Sequence, residues 1–379
     1  MLTQWINRLP KLRKQDIRDY SFWRKLHIDL PLLMGLCVLM TFGLFVLYSA
    51  GDQSFQIVEQ QGLRFLLGLV VMVVLAQIPP QKYRFWAPWL FLVGVILLVA
   101  VLAVGHVGQG ARRWLNLGFV RFQPSEIMKF ALPMMLAWYF YHKDLPPKFR
   151  YIVITVFLIV IPAALTAKEP DLGTALLIAG SGFGVLLLAG IRWRIVIAAI
   201  LIIAAACPFA WHHMHDYQKE RLITFLNPES DPLGTGYHII QSKIAVGSGG
   251  VFGKGWLHGS QSHLSFLPEH TTDFIFAVCG EELGLIGCIA LLCIYAYILS
   301  RCLYIANVAQ DTFCRLLAGS LTFAFFLSMF INIGMVIGIL PVVGVPLPLV
   351  SYGGSAVVSF LAMFGVLMSI HTHRKLVGA

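Results

Sequence analysis

The sequence predicts an all-α, polytopic integral membrane protein with about ten transmembrane helices and one long extracytoplasmic loop. Two observations lead to this fold class. Hydrophobic residues make up 58% of the 379 residues and charged residues only 12%, whereas soluble domains carry about 25% charged residues. So little charge cannot coat a water-facing surface, which excludes a disordered chain, a disulfide scaffold and a nucleic-acid-binding domain. The apolar residues also fall into stretches long enough, or nearly so, to cross a bilayer.

The predicted spans follow one another through short connections, except for one long polar stretch at about 212–272. They run roughly 29–49, 63–79, 85–105, 124–141, 151–167, 172–190, 194–211, 273–300, 316–340 and 350–370. The polar start of the chain lacks the short apolar core and the cleavage site of a signal peptide. We therefore expect a cytoplasmic basic arm at 1–28 and a single transmembrane domain at 29–379.

The distribution of charge predicts the orientation of the spans. With a cytoplasmic N-terminus, 18 of the 28 Lys and Arg residues lie on the inner side and nine on the outer side. Cytoplasmic loops accumulate Lys and Arg. We therefore expect both termini in the cytoplasm and residues 212–272 outside, as a large periplasmic loop.

The fourth span begins with two charged residues, Glu126 and Lys129. Because they are three positions apart, they share one face of a helix. Charges at membrane depth are costly and usually functional, but they are also usually paired. Two interpretations stay open: a mutually neutralising pair that joins helices, or a polar cavity that binds an anionic ligand.

Two polar turns on the predicted outer side carry further candidates, one before the fourth span and one after the fifth. Arginines at 112, 113 and 121 run against the positive-inside trend, and a guanidinium binds phosphate or carboxylate well. Contact with lipid headgroups is the alternative, and the local clustering favours a specific anion. In the turn Lys168-Glu169-Pro170-Asp171, we expect Asp171 to cap the sixth span. Lys168 and Glu169 are weaker functional candidates.

The 212–272 loop is rich in glycine and histidine. Neither a P-loop nor a G-x-G-x-x-G pattern occurs, so the sequence predicts no nucleotide, and the glycines indicate tight turns beside the membrane. Seven of the twelve histidines lie here, including His212, His213 and His215, without H-E-x-x-H spacing. We interpret them as interfacial polar residues rather than metal ligands. The seven irregularly spaced cysteines predict neither a zinc site nor disulfides.

The start of the eighth span carries the most informative carboxylate, Asp273. At about 100° per residue, Ala277, Gly280, Gly284 and Gly287 fall on the same side of the helix as Asp273. Small residues on one stripe indicate close helix packing, so Asp273 is expected to face protein or a cavity at the outer mouth of the helix. A carboxylate stabilised by the helix dipole is the plainer interpretation.

Two other features of this half of the chain need an explanation. Glu281 and Glu282 lie about two turns deeper in the eighth span and require partners. The stretch from 340 to 355 is uncharged, contains three prolines and is apolar. Such a loop is not expected to lie bare in water, and we expect it to dip into the membrane or line a lipid entrance.

Together, these stretches resemble the SEDS family, the shape, elongation, division and sporulation proteins. The similarity covers the chain from the first span to His373, and it is greater for the elongation branch than for the division branch. The motifs that carry it are G-A-R-R-W-L-N-L-G, F-Q-P-S-E-I-M-K, P-D-L-G-T, D-P-L-G-T-G-Y-H-I-I-Q-S-K-I-A-V-G-S-G-G, G-K-G-W-L-H-G, T-D-F-I-F-A, E-E-L-G and P-L-P-L-V-S-Y-G-G-S.

The resemblance implies a peptidoglycan glycosyltransferase of the bacterial inner membrane. Its substrate would be lipid II, which carries an undecaprenyl pyrophosphate, and its partners a class B penicillin-binding protein transpeptidase and other membrane proteins of the elongation complex. The family's essential aspartate falls on Asp273. The implied substrate-binding residues are Arg113, Glu126, Lys129, Lys243 and Lys254.

Two residues depart from the family pattern. Thr271 stands where the family usually has histidine, and Glu169 stands where glutamine is common. A divalent cation, Mg²⁺ or Mn²⁺, is an open cofactor, because basic side chains can also neutralise a pyrophosphate. A lipid II flippase and a non-catalytic scaffold of the elongation machinery remain the alternative functions. The position of Asp273 at one face favours an enzyme, since transporter sites lie near the midplane.

Overall fold

The chain folds into a bundle of long helices. The computed structural model describes residues 26–108, 111–116, 121–213, 219, 223–224, 227–228, 235–263 and 269–374. The helices of this part are α1 (Leu30–Ala50), α2 (Phe55–Ala76), α3 (Pro80–Val104), α4 (Pro124–Tyr141), α5 (Phe149–Lys168), α6 (Leu172–Leu188), α7 (Trp193–His213), α8 (Thr235–Ser248), α9 (Ser260–His263), α10 (Ile275–Asn307), α11 (Thr312–Val336) and α12 (Ser355–Thr372). The strands are β1 (His106–Gly108), β2 (Ala111–Asn116) and β3 (Arg121–Phe122).

Each of the ten predicted spans coincides with a helix, namely α1 to α7 and α10 to α12. Seven helices of the described chain are long and apolar enough to cross a membrane, and α6 and the first part of α7 are shorter apolar helices. The predicted all-α, polytopic membrane fold is therefore confirmed. The boundaries differ most for α2, which begins at Phe55 rather than at residue 63. Its first turns carry polar side chains that hydropathy does not assign to a span.

The helices differ in how much of their surface the others cover. Most side chains of α11 and α12 are buried, whereas α2 and α3 expose large apolar side chains such as Leu66 and Trp89. Apolar surface of this extent suits contact with lipid. The charged helix α4 packs against α3, α6 and α11. Its Glu126 and Lys129 therefore lie inside the protein rather than against lipid.

Two connections contain structure that the sequence does not predict. The arginine-rich link between α3 and α4 forms a small antiparallel sheet in the order β1-β2-β3. The 212–272 stretch contains α8 and α9. Helix α8 packs against α10 and α11, and Ser242 on α8 donates a hydrogen bond to the Val336 carbonyl at 2.9 Å. This stretch is therefore partly built into the bundle rather than being only a polar loop.

Helix α10 is broken at Gly284, where φ is 65° and ψ is −161°. The loop at 249–255 fills the break. Its Lys254 and Gly255 amides donate to the carbonyls of Glu281 and Glu282 at 2.9 and 3.1 Å, and the Leu285 and Ile286 amides donate to loop carbonyls at 3.0 and 3.2 Å. These hydrogen bonds replace those that the helix loses at the break. The predicted stripe of small residues is therefore interrupted at Gly284, because the prediction is based on an unbroken helix.

The approach between the loop and α10 depends on glycine. Gly253 has φ of 81°, and a Cβ at this position would overlap the Glu282 carbonyl oxygen. A Cβ at Gly249 would overlap the Gly280 carbonyl in the same way. The loop glycines therefore serve close backbone packing, which extends the predicted role in tight turns.

The apolar segment between α11 and α12 folds back into the bundle. Leu347, Leu349 and Val350 are buried, and the hydroxyl of the fully buried Tyr295 on α10 donates to the Pro348 carbonyl at 2.6 Å. The segment also lies against α1, since a Cβ on Gly43 would contact the Leu349 carbonyl. The expectation that this stretch would not lie bare in water is confirmed.

Candidate active site

The turn that carries Asp273 is fixed by hydrogen bonds to two other parts of the bundle. The Asn332 side chain on α11 donates to the carbonyls of Asp273 and Val345 at 2.8 and 2.7 Å. Ser351 donates through its hydroxyl to the Thr272 carbonyl at 2.5 Å. The backbone beneath Asp273 is thus held at the point where α11 and the apolar segment meet α10.

The Asp273 side chain lies just outside helix α10, which begins at Ile275. It is partly buried, and within the described residues its carboxylate accepts no hydrogen bond. Burial, followed by the negative charges of Glu269 and Asp171, raises the pKa of Asp273 to about 6, against an opposing effect of Arg113. A carboxyl group with this pKa is suited to accept a proton near neutral pH.

Arg113 on β2 reaches the turn between α5 and α6. Its Nη2 donates to the Pro170 carbonyl at 2.6 Å, and its Nε lies 3.8 Å from Asp171 Oδ2. The Nε group is buried and has no hydrogen-bond partner among the described residues. Because Arg113 also lowers the pKa of Asp273, the structure brings these two predicted site residues into one electrostatic environment.

Asp171 is occupied by structural contacts. Its Oδ1 accepts the Thr174 backbone N–H at 3.1 Å, which caps α6, and its Oδ2 accepts the Gln123 amide at 3.1 Å. The expected capping role is therefore confirmed. Close packing surrounds this turn, since a Cβ on Gly173 would overlap the Val343 carbonyl of the apolar segment. Asp171 fixes the turn that receives Arg113.

Glu169 is the most unusual group near this turn. It follows the last residue of α5, is only 1% exposed, and neither carboxyl oxygen has a hydrogen-bond partner in the described part of the chain. Burial, and then the charge of Asp171, raises the pKa of Glu169 to about 8, while Arg113 acts in the opposite direction. Sequence reasoning underrated Glu169, because its burial depends on packing around the turn.

Glu126 and Lys129 form a buried ion pair with 2.6 Å between Oε1 and Nζ. Both residues are 5% exposed, and Lys129 Nζ lies 5.7 Å from the ring centre of Phe360 on α12. The second oxygen of Glu126 has no partner among the described residues. Both residues lie on α4, so the two charges neutralise each other within one helix, and Phe360 on α12 is the contact of Lys129 to another helix. A role in substrate binding stays a prediction.

Lys243 and Lys254 lie in different surroundings. Lys254 Nζ is 2.6 Å from Oε1 of the buried Glu281 and donates to Ser260 Oγ at 2.7 Å. This contact supplies the partner that Glu281 requires. Lys243 is exposed, with its aliphatic stem against Gly338. Neither lysine is among the groups that shift the pKa of Asp273, so substrate binding by both remains a prediction.

Several predicted features fall outside the part of the chain that the structure describes. They are the arm at 1–25 and the side chains of Arg112, Arg121, His212, His213 and His215. Within the described residues, no group of three His, Cys, Asp or Glu side chains is placed to hold a metal ion. Mg²⁺ or Mn²⁺ stays a prediction, since Mg²⁺ is commonly held by one or two carboxylates together with substrate phosphates.

Two polar residues that position the site were not singled out from the sequence. Asn332 supports the Asp273 turn, and Gln123 holds Asp171. Asn332 is fully buried within a predicted span. A single amide in an apolar helix could have indicated from the sequence that this residue positions the site. Gln123 stands directly before α4, where the pattern indicates only a helix start.

Comparison with known proteins agrees with this fold. Residues 24–376 match the FtsW/RodA/SpoVE family, described as cell cycle protein. The chain is similar to the peptidoglycan glycosyltransferase MrdB of Escherichia coli K12, with 54% identity over 357 residues that cover 94% of this chain and 96% of the relative.

Two solved structures have the same architecture. A chain of a peptidoglycan synthase complex, described for its coordination of polymerization and crosslinking, gives a TM-score of 0.81 at 30% identity and covers 92% of this chain and 98% of that one. The rod shape determining protein RodA of Thermus thermophilus gives 0.69 at 26% identity, with 92% and 98% coverage.

The fold and these matches define a multi-pass membrane protein of the SEDS class. The chain belongs to the FtsW/RodA/SpoVE family. The resemblance proposed from its motifs, and its greater similarity to RodA than to FtsW, are confirmed.

Proposed function

We propose that this protein polymerises lipid II into β-1,4-linked glycan strands during cell elongation and rod-shape maintenance. Its family and its 54% identity to a named peptidoglycan glycosyltransferase give the reaction class. The chain is therefore a peptidoglycan glycosyltransferase. Lipid II as the substrate follows from the family resemblance, and the proposed roles of Asp273 and Arg113 are supported in addition by the geometry of the site.

One observation carries the proposed mechanism: Asp273 is held on a fixed turn, beside Arg113, with its pKa raised to about 6. In the proposed step, the 4-hydroxyl oxygen of the acceptor sugar attacks the anomeric carbon of the donor, and Asp273 accepts the hydroxyl proton. The bond between that carbon and the pyrophosphate oxygen breaks. Attack from the opposite face inverts the α-linked donor into a β-linked product.

Arg113 is the proposed binding group for the departing pyrophosphate. Its guanidinium has one buried N–H without a partner in the described residues, and such a group stabilises charge that develops on a phosphate oxygen. Glu126, Lys129, Lys243 and Lys254 are proposed as further substrate-binding residues on the family resemblance. No step is assigned to Mg²⁺ or Mn²⁺.

The proposed location is the bacterial inner membrane, with both termini in the cytoplasm and the Asp273 site on the outer side. The proposed partner is a class B penicillin-binding protein transpeptidase, acting with other membrane proteins of the elongation complex. The similarity to a chain of a peptidoglycan synthase complex supports this partner. Polymer made at the outer face would reach the crosslinking enzyme directly.

Purified protein with lipid II in detergent tests the function, because detergent offers no membrane to cross. We expect glycan polymer to form without nucleotide. Transport of lipid II across vesicles by a protein that forms no polymer in detergent would favour a flippase. Absence of both activities, with the partner still bound, would favour a scaffold.

A further inference from the structure

Glu169 is a buried carboxyl group that forms no ion pair with the described residues. Its side chain is 1% exposed, and both oxygens are buried without a hydrogen-bond partner among the described residues. Arg113, which contacts this turn, directs its Nη2 to the Pro170 carbonyl and its Nε toward Asp171. Burying an ionised carboxylate without such contacts is unfavourable, so the geometry favours the neutral acid.

The charged groups around Glu169 support this assignment. Asp171 on the same turn disfavours its ionisation and Arg113 on β2 favours it, and with burial the net effect raises the pKa of Glu169 to about 8. The neutral Gln123, directly before α4, and Val343 of the apolar segment also contact this turn. Lys168 is exposed at the end of α5. Glu169 is therefore neutral at pH 7 and becomes ionised about one unit higher.

The protonation state of Glu169 changes the charge of the Arg113 site. With Glu169 neutral, Arg113 is balanced only by Asp171, which already accepts hydrogen bonds from Thr174 and Gln123. The Arg113 side chain is 34% exposed, so its guanidinium can be reached by an anion. Ionised Glu169 would add a negative charge beside the guanidinium and repel the same anion.

We propose that Glu169 is a positioning residue for the pyrophosphate of the donor. In its neutral form it leaves the charge of Arg113 available to the phosphate oxygens, and its ionisation weakens donor binding. This inference rests on the proposed function, and it assigns to Glu169 a role in substrate affinity rather than in the chemical step.

The expected effect is on KM at alkaline pH. If only the neutral form binds the donor, the apparent KM rises as the neutral fraction falls. For a pKa of about 8, KM for lipid II is expected to increase roughly tenfold between about pH 7 and pH 9. KM rises rather than falls with pH, because raising the pH removes the proton of Glu169 and adds a negative charge.

The test measures the KM for lipid II at pH 7 and at pH 9 in wild-type protein, Glu169→Gln and Glu59→Gln, and compares the rise between the two pH values. Glutamine has the shape of the neutral acid and cannot ionise, so Glu169→Gln should lose the rise in KM. Glu59 is an exposed carboxylate on α2, so Glu59→Gln should keep it. Glu169→Asn, a second neutral amide, should also lose the rise and serves if Glu169→Gln does not fold.

Two outcomes would contradict the inference, and a third would contradict the proposed function. If wild-type protein polymerises lipid II and Glu169→Gln keeps the full rise in KM, Glu169 does not control donor binding. A wild-type KM that is constant over this pH range overturns the inference as well. Failure of wild-type protein to polymerise lipid II at pH 7 would instead count against the proposed function.

Discussion

At the scale of single residues, the carboxylates of Asp171, Asp273 and Glu169 differ in what surrounds them. Asp171 accepts two hydrogen bonds from neutral groups and fixes a turn. Asp273 and Glu169 accept none from the described residues, and burial is the largest cause of the increase in the pKa of each. One chemical group thus serves as a cap, a proposed base and a proposed neutral acid because its environment differs.

The pH dependence of polymerisation follows from the role of Asp273. A general base must be ionised, and its pKa is raised from 3.8 to about 6. Lowering the pH below about 6 protonates it, so kcat/KM is expected to fall about tenfold per pH unit. Initial rates with subsaturating lipid II measure this acid limb. A constant kcat/KM down to about pH 4 would show that no such base is required.

At the scale of elements, the broken helix α10 and the loop at 249–255 form one structural unit. The loop supplies hydrogen bonds to both sides of the break, and buried Glu281 accepts hydrogen bonds from Lys254 and Ser260. Half-helices of this kind are stable in an apolar bundle only when their free backbone groups are paired. The break therefore depends on the glycines that allow the two backbones to approach.

Gly253→Ala is expected to destabilise the protein by more than about 1 kcal/mol, because alanine disfavours positive φ and its Cβ would overlap the Glu282 carbonyl. Gly247→Ala is the matched control. Gly247 lies in α8 with no atom near its added Cβ, and alanine is favoured in helices. Thermal unfolding in detergent should show a lower Tm only for Gly253→Ala. Equal Tm values would argue against close packing at the break.

The buried pair on α4 allows stability and binding to be separated. Lys129→Met leaves Glu126 buried without its partner, which should lower the free energy of unfolding by about 3–5 kcal/mol. Adding Glu126→Gln removes the unpaired charge and should restore most of it. If Lys129 binds donor, the double variant is folded but has a raised KM for lipid II. A wild-type KM in that variant would make the pair purely structural.

At the scale of the whole molecule, the sequence predicts the ten membrane helices because a bilayer imposes a length and an apolar composition on each span. It also predicts Asp273 and Arg113, since charges near the membrane boundary stand out. The break at Gly284 and the burial of Glu169 could not be predicted in this way. Each lies where remote segments meet. The 249–255 loop bonds to both sides of the break at Gly284, and the turn after Glu169 contacts Arg113 of β2 and Val343.

The predicted orientation can be tested with two cysteines in a variant that lacks the native ones. Phe252 is 82% exposed in the loop expected outside, and Asp144 is exposed in the turn expected inside. A membrane-impermeant maleimide should label Phe252→Cys in cells with a permeable outer membrane. Asp144→Cys should react only after the inner membrane is opened. The reverse pattern would overturn the orientation derived from the charge distribution.

The most direct test of the proposed mechanism compares Asp273→Asn with Asp144→Asn in the polymerisation of lipid II by purified protein. Both substitutions remove a carboxylate at constant size, but only Asp273 lies beside Arg113 on the fixed turn. Loss of a general base typically lowers the rate about 10²–10⁴-fold. We expect that loss for Asp273→Asn with an unchanged Tm, and a wild-type rate for Asp144→Asn. Polymerisation at the wild-type rate by Asp273→Asn would contradict the assignment of Asp273 as the base.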